Sequence, residues 1–403
     1  MKSAHARTIA RRRAGSESGF TLIEALVATA IMVTVTGAMF TVMNPHSGIF
    51  QMQPEVTDIH QRVRVGVDTL TKDLMMAGAG AYSGPLSGSL GGFFAPIQPS
   101  RQGNLVDYDD GPGVFFPDRM TLFYVPSTFS QTSIAQAMPT TSAELKVDDE
   151  PGCPRGQNLC GFLEGMQVII YDDTGAYDTM TITNVQDQAA HLQHNQQGDL
   201  SKAYAAGAKV AQINEHVYYY EPTTKQLMHY DGFQTAQAVI DNVLGVNFDY
   251  YGEPSPPQLV HPLVNQDMTY GPKPPVLGQA RGAWPAGENC TVAVNAGQQV
   301  PRLDTLGPPG SGLIKLTPAQ LTDGPWCPDA NNNNRYDADL LRIRKIRVSL
   351  WLQTATSTLR APLASGPTAD ALFTGARVGV TSRTIPDQII RFDVMPRNLN
   401  LAR

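Results

Sequence analysis

A chain of 403 residues with 42% hydrophobic and 16% charged residues, 36 Gly and 30 Pro has room for two or three domains, and its composition is loop-rich and globular. That excludes a disordered or helical-repeat chain. The net charge of −6 hides a split: of 30 basic and 36 acidic residues, Lys2, Arg7, Arg11, Arg12, Arg13 and Glu17 precede Gly19, which leaves 25 basic against 35 acidic residues. An acidic body excludes nucleic acid as a partner, because phosphates demand clustered Lys and Arg.

The basic head and the apolar run after it read as a targeting and anchoring unit. From Phe20 to Met43, Glu24 is the only formal charge. At ~1.5 Å per residue, about 20 such residues cross a ~30 Å hydrocarbon layer as a helix. The positive-inside rule puts the head in the cytoplasm and everything after Met43 on the outer face. An ordinary secretory signal has a shorter apolar region, followed by a small-residue cleavage site. Here the small residue, Gly19, precedes the run.

The residues Gly19, Phe20, Thr21, Leu22, Ile23 and Glu24 resemble the class III signal of type IV prepilins. The resemblance implies that a prepilin peptidase cuts between Gly19 and Phe20, removes residues 1–19 as a leader, and methylates the new Phe20 amine. Residues 20–43 then remain as an N-terminal transmembrane helix. A carboxylate at membrane depth costs a few kcal/mol unless it is paired. In a filament, the resemblance pairs Glu24 with the Phe20 amine of a neighbouring subunit and sets its register during assembly. The plainer alternative is a Glu24 that snorkels to the interface or meets its own amine one turn away.

Beyond the span, NPHSGIFQMQP carries Pro45, Gly48 and Pro54. Proline removes a donor and crowds the preceding turn, so residues 44–54 are predicted to kink or melt. Helical periodicity resumes at Val56, Ile59, Val63, Val67, Leu70 and Leu74, predicting an amphipathic helix up to residue 80 that ends at Gly78 and Gly80. From residue 81 to 403, short apolar or alternating runs between Gly, Pro, Asp and Asn predict antiparallel strands. MTLFYV starts at Met120; MQVIIYD and DTMTITNV flank a DTGAY hairpin; HVYYYEPTTKQLMHYDG reads as a second hairpin; VLGVNFDYYG and LLRIRKIRVSLWLQT read as further strands. In the last, Leu341 and Ile343 fall on one parity and Ile346, Val348 and Leu350 on the other, which predicts a bulge or a change of covered face. The element order predicts an α+β fold, with the second helix lying across a mostly antiparallel sheet.

That architecture, together with QRVRVGVDTLTKDLMMAGAG, VYYYEPTTKQLMHYDG, VLGVNFDYYG, LLRIRKIRVSLWLQT and RFDVMPRNLNLAR, resembles the PilW-type minor pilins of type IV pili and the related J-type pseudopilins of type II secretion. The resemblance implies a pilin-like subunit: a long N-terminal helix packed on a periplasmic β-domain with long loop insertions, single-pass in the inner membrane and taken into the extracellular pilus. Its implied partners are the prepilin peptidase, the inner-membrane pilus assembly platform, the major pilin and other minor pilins, with which it would initiate assembly in a tip or priming complex. A J-type pseudopilin is the first alternative. The second is a pilin-anchored adhesin whose binding face is the Pro-rich insertion 252–287, since long loops of this kind often carry function.

Four cysteines in an outward-facing domain imply disulfides. Three connectivities are open, and proximity pairs Cys153 with Cys160, which leaves Cys290 for Cys327. In DANNNNRYDAD, Asp329, Asn331, Asn333, the Arg335 carbonyl and Asp337 fall at alternate positions, as oxygen ligands do in a Ca²⁺ loop, and Asp339 stands in for the missing bidentate Glu. The alternative is an Asn/Asp-rich turn with local backbone bonds. No GxSxG, HExxH or P-loop occurs, and His191 and His194 in HLQHNQQG read as a solvated polar stretch. The chain is therefore read as a non-enzyme, with Ca²⁺ as its one candidate cofactor.

Overall fold

The computed structural model describes residues 19–84, 86–103, 114–173, 175–194, 200, 202–232, 235–257, 259, 287–308, 310–328, 335–360 and 384–400, without the side chains of 44–51. The chain forms two compact units, Met1–Pro54 and Glu55–Arg403. One helix, α1, runs 55 residues from Leu22 to Met76. Of the kink or melt predicted at 44–54, the melt does not occur: the backbone is helical there. A proline withdraws one amide and crowds the carbonyl four residues back, and that loss stays local to each ring. A full break would forfeit the neighbouring hydrogen bonds as well.

In the second unit, Ile59, Leu70, Leu74 and Ala77 of the helical stripe and its end are buried, three or four residues apart for the most part. At Gly66 a β-carbon would lie 2.0 Å from Ile240 Cδ1, so the missing side chain is what lets α1 approach strand Gln237–Asp241 this closely. The helix stops as its glycines predict. Gly78 takes φ +78° and its N–H donates to the Phe123 carbonyl, while Asn398 Nδ2 donates to the Met76 carbonyl.

The fold is α+β and pilin-like, with a mostly antiparallel β-domain. A five-stranded sheet runs Ile97–Pro99, Arg119–Tyr124, Asn214–Glu221, Gln226–Tyr230, Gln237–Asp241 in spatial order. A four-stranded sheet runs Ile314–Lys315, Val243–Gly252, Ile343–Leu352, Gln388–Val394. The two sheets share one core with α1, including Leu70, Leu74, Met120, Tyr218, Phe248 and Val348. Arg119–Tyr124 pairs directly with Asn214–Glu221, so everything between them is inserted. That insertion forms a six-stranded sheet with its own core around Val168, Ile170, Leu192 and Val210. The predicted DTGAY hairpin lies inside it.

Both hairpins and the later strands occur where predicted. The parity switch is a bulge: Tyr251 pairs with Lys345 but Gly252 with Ile343, which leaves Arg344 unopposed. Beyond it Ile346, Val348, Leu350 and Leu352 all point into the core. The residues before the bulge are a 3-10 turn, Ala338–Arg342, instead of strand. HLQHNQQG is a second correction. Its His191–His194 is a strand, His194 is buried, and His191 Nδ1 sits 3.0 Å from Glu144 Oε1, because the pairing strand Glu144–Lys146 supplies a partner from far away in sequence.

Val243–Gly252 and Ile343–Leu352 pair across the second insertion, and two devices close its base. Cys290 and Cys327 form a disulfide within the core, and Cys153–Cys160 closes the small loop, as proximity suggested. Arg342 is fully buried, bonds Asp339, and donates to the carbonyls of Pro254 (2.9 Å), Ser255 (2.8 Å) and Asp304 (2.6 Å). Replacing Arg342 by Met strands a buried carboxylate and three carbonyls, and is expected to cost about 3–5 kcal/mol, measured by denaturant unfolding of the second unit's signal. Cys290→Ser/Cys327→Ser is expected to cost about 2–5 kcal/mol, whereas opening the short Cys153–Cys160 loop costs less, which thermal melts with and without reductant will check.

Candidate functional site

The first unit is organised by its apolar face. Leu22–Met43 has a mean hydropathy of 2.0 and none of it is buried, so it is one helix long and apolar enough to cross a membrane once. Phe20, just ahead of it, is 89% exposed. Large apolar side chains left in water cost roughly 1.5–3 kcal/mol each, and the twelve exposed between Leu22 and Met43 demand lipid or a partner.

Glu24 occupies the third position of α1 and closes a capping box with Thr21. Its carboxylate accepts from the Thr21 N–H (2.9 Å) and hydroxyl (2.8 Å), while its own N–H donates to Thr21 Oγ1 (3.3 Å). The Thr21-x-x-Glu24 spacing carries that signal in the sequence. Reading Glu24 only as an intermolecular group misses it. The acid also sits at the positive end of the helix dipole, where a negative charge is favoured.

In the candidate calcium segment, Asp329, Asn331 and Asn333 lie outside the described residues. Arg335 is in a short strand paired with Trp326–Pro328. Asp337 caps the 3-10 turn: its two oxygens accept from the Asp339 N–H (2.8 Å) and the Gly324 N–H (2.5 Å). Asp339 bonds Arg342. Burial pushes both carboxyls up, Asp337 well above the ordinary range and Asp339 to about 6, with Arg342 opposing the rise at Asp339. The described half of the segment is thus a helix cap feeding the strand, and Ca²⁺ binding remains an expectation of the sequence spacing.

The structure brings together three residues that no local motif announces. Asp73 of α1 is 6% exposed, on the core-facing stripe beside Leu70 and Leu74, and it meets His216 and His229 from adjacent strands of the five-stranded sheet. Tyr218 donates to the Asp73 carboxylate at 2.5 Å. Burial pushes that carboxyl up, but the His216 and Tyr218 hydrogen bonds outweigh it and hold the group below its usual range. Two signals could have found the cluster. Asp73 is an acid within an apolar helical stripe, and His216 and His229 stand at opposite ends of a predicted hairpin.

The chain is 34% identical over 110 residues to the "Pilin-like protein PilA3" of Thermus thermophilus, a stretch covering 27% of this chain and 42% of that relative. The chain thus spans less than half of the relative's length. The similarity supports a pilin-like relationship, in line with the helix and β-domain. No protein-family model and no solved structure matches the chain.

Proposed function

We propose that this chain is a non-enzymatic structural subunit of the PilW-type minor-pilin class, cleaved after Gly19, which joins other minor pilins in a complex that primes type IV pilus assembly. The observation that carries the reading is the wholly uncovered apolar helix Leu22–Met43, with Glu24 as its only charge, on a chain that also carries a pilin-like β-domain. The similarity to a pilin-like protein supports the broader class. In the membrane this helix would hold the subunit from the inner side, with the β-domain periplasmic. In a fibre the same apolar surface would pack against other pilin helices, and the major pilin would follow.

The capping box sharpens the role of the acid. Cleavage between Gly19 and Phe20 leaves the Thr21 amide and hydroxyl in place, so the box is compatible with processing. A carboxylate has about four acceptor sites. Glu24 can therefore hold Thr21 and still accept the ammonium of a neighbouring Phe20. The box would then fix the carboxylate's position before the neighbour arrives.

End-group analysis of the mature chain is expected to begin at methylated Phe20, and any other first residue overturns the processing. Glu24→Ala is expected to abolish priming of pili, while Thr21→Val, which keeps the carboxylate, retains most of it; equal loss in both variants would make Glu24 a helix cap only. Co-purification with pilus minor pilins is expected, and recovery with secretion pseudopilins instead would favour the J-type reading.

A further inference from the structure

The Asp73 cluster has no part in an assembly role for α1 and stands independently of it. Strand pairing sets Tyr218 opposite His229, which places His216 two residues along on the same face of the sheet, toward α1. Asp73 Oδ2 lies 3.1 Å from His216 Nδ1 and 3.7 Å from His229 Nε2, and those two ring nitrogens are 2.7 Å apart. Three lone-pair donors from three different segments therefore converge. The point equidistant from them lies about 1.9 Å from each, close to the ~2.0–2.2 Å of Zn–N and Zn–O bonds.

We propose that Asp73, His216 and His229 form a binding site for one divalent transition-metal ion of the Zn²⁺ class, with a remaining position open to water from the adjoining cleft. The cleft, of about 520 Å³, is lined by Asp73 and His216 together with Lys72, Tyr124, Glu164 and Asn214. Two imidazoles with one carboxylate suit borderline metals, while Ca²⁺ and Mg²⁺ want oxygen ligands throughout.

The surroundings are those of a built metal site. Tyr124 Oη is 3.1 Å from His216 Nε2, the ring nitrogen left over when Nδ1 ligates, and such an outer partner fixes tautomer and ring orientation. Tyr218 holds the carboxylate oxygen. The rings of Tyr124, His216, His229 and Tyr218 stack in sequence with centroids 5.3, 4.9 and 4.6 Å apart, which keeps the imidazole planes from rotating away. Without metal, two imidazole nitrogens at 2.7 Å must share a proton. The ion replaces it, so binding releases that proton and ties α1 to both strands of the hairpin.

The full chain, purified in detergent without a polyhistidine tag and stripped with chelator, is to be titrated with Zn²⁺ and, for spectroscopy, Co²⁺. One equivalent of Zn²⁺ is expected to bind saturably and to resist excess Ca²⁺. Asp73→Asn and His216→Ala are each expected to weaken binding about 100-fold or more and Tyr124→Phe about 10-fold, while His191→Ala/His194→Ala leaves it unchanged. Failure of the wild-type chain to bind a stoichiometric ion overturns the proposal, as does equal loss in the His191/His194 variant. Should the ligand variants misfold by circular dichroism, the wild-type Co²⁺ spectrum decides: intense d–d bands of a low-coordinate nitrogen and oxygen site support the assignment, and the spectrum of the hydrated ion sinks it.

Discussion

Burial of one stripe of α1 against antiparallel sheet is the interaction on which the globular unit rests. Ile59, Leu70, Leu74 and Ala77 are all buried, and the last three share one core with strands as far along the chain as Gln388–Val394. Each such side chain contributes roughly 1.5–3 kcal/mol on leaving water. An isolated amphipathic helix has little stability of its own, so it is the sheet that makes this half of α1 persist. Asp73 interrupts the stripe with a charge, and that is tolerable only because Tyr218 and His216 complete its hydrogen bonding. The most expensive group on the buried face is therefore also its most specific one.

The same core accepts two large insertions because strands separated by many residues still pair as neighbours. Arg119–Tyr124 finds Asn214–Glu221 across one insertion, and Val243–Gly252 finds Ile343–Leu352 across the other. Loop-closure entropy rises only slowly with length, so long excursions are affordable when their bases are held. One insertion supplies its own core and sheet. The other is fastened by the Cys290–Cys327 disulfide and by Arg342, whose planar guanidinium reaches a carboxylate and three carbonyls together.

Much of the fold was legible because the relevant signals are local. Gly78 past the last apolar residue of the stripe foretold the helix end, and the parity change between Ile343 and Ile346 foretold the bulge at Arg344. Where reading failed, a distant partner decided the outcome. His191–His194 reads as solvated until Glu144–Lys146 lies beside it and pairs with it as strand. The prolines at 45 and 54 suggested a kink or a melt, and the backbone there is not melted but helical.

The sequence by itself determined the apolar span with its single acid and the strand and hairpin segments, because each is written within a few residues as period, charge or spacing. Only the tertiary structure decided that Asp73, His216 and His229 converge in space, that Arg342 ties two ends of an insertion together, and that a third sheet builds a second core on one face while Ile169, Tyr171 and Tyr177 join the main core. Those features depend on which distant strands pair and in what register. Register is chosen by the summed burial of a whole face, which no short window of residues contains.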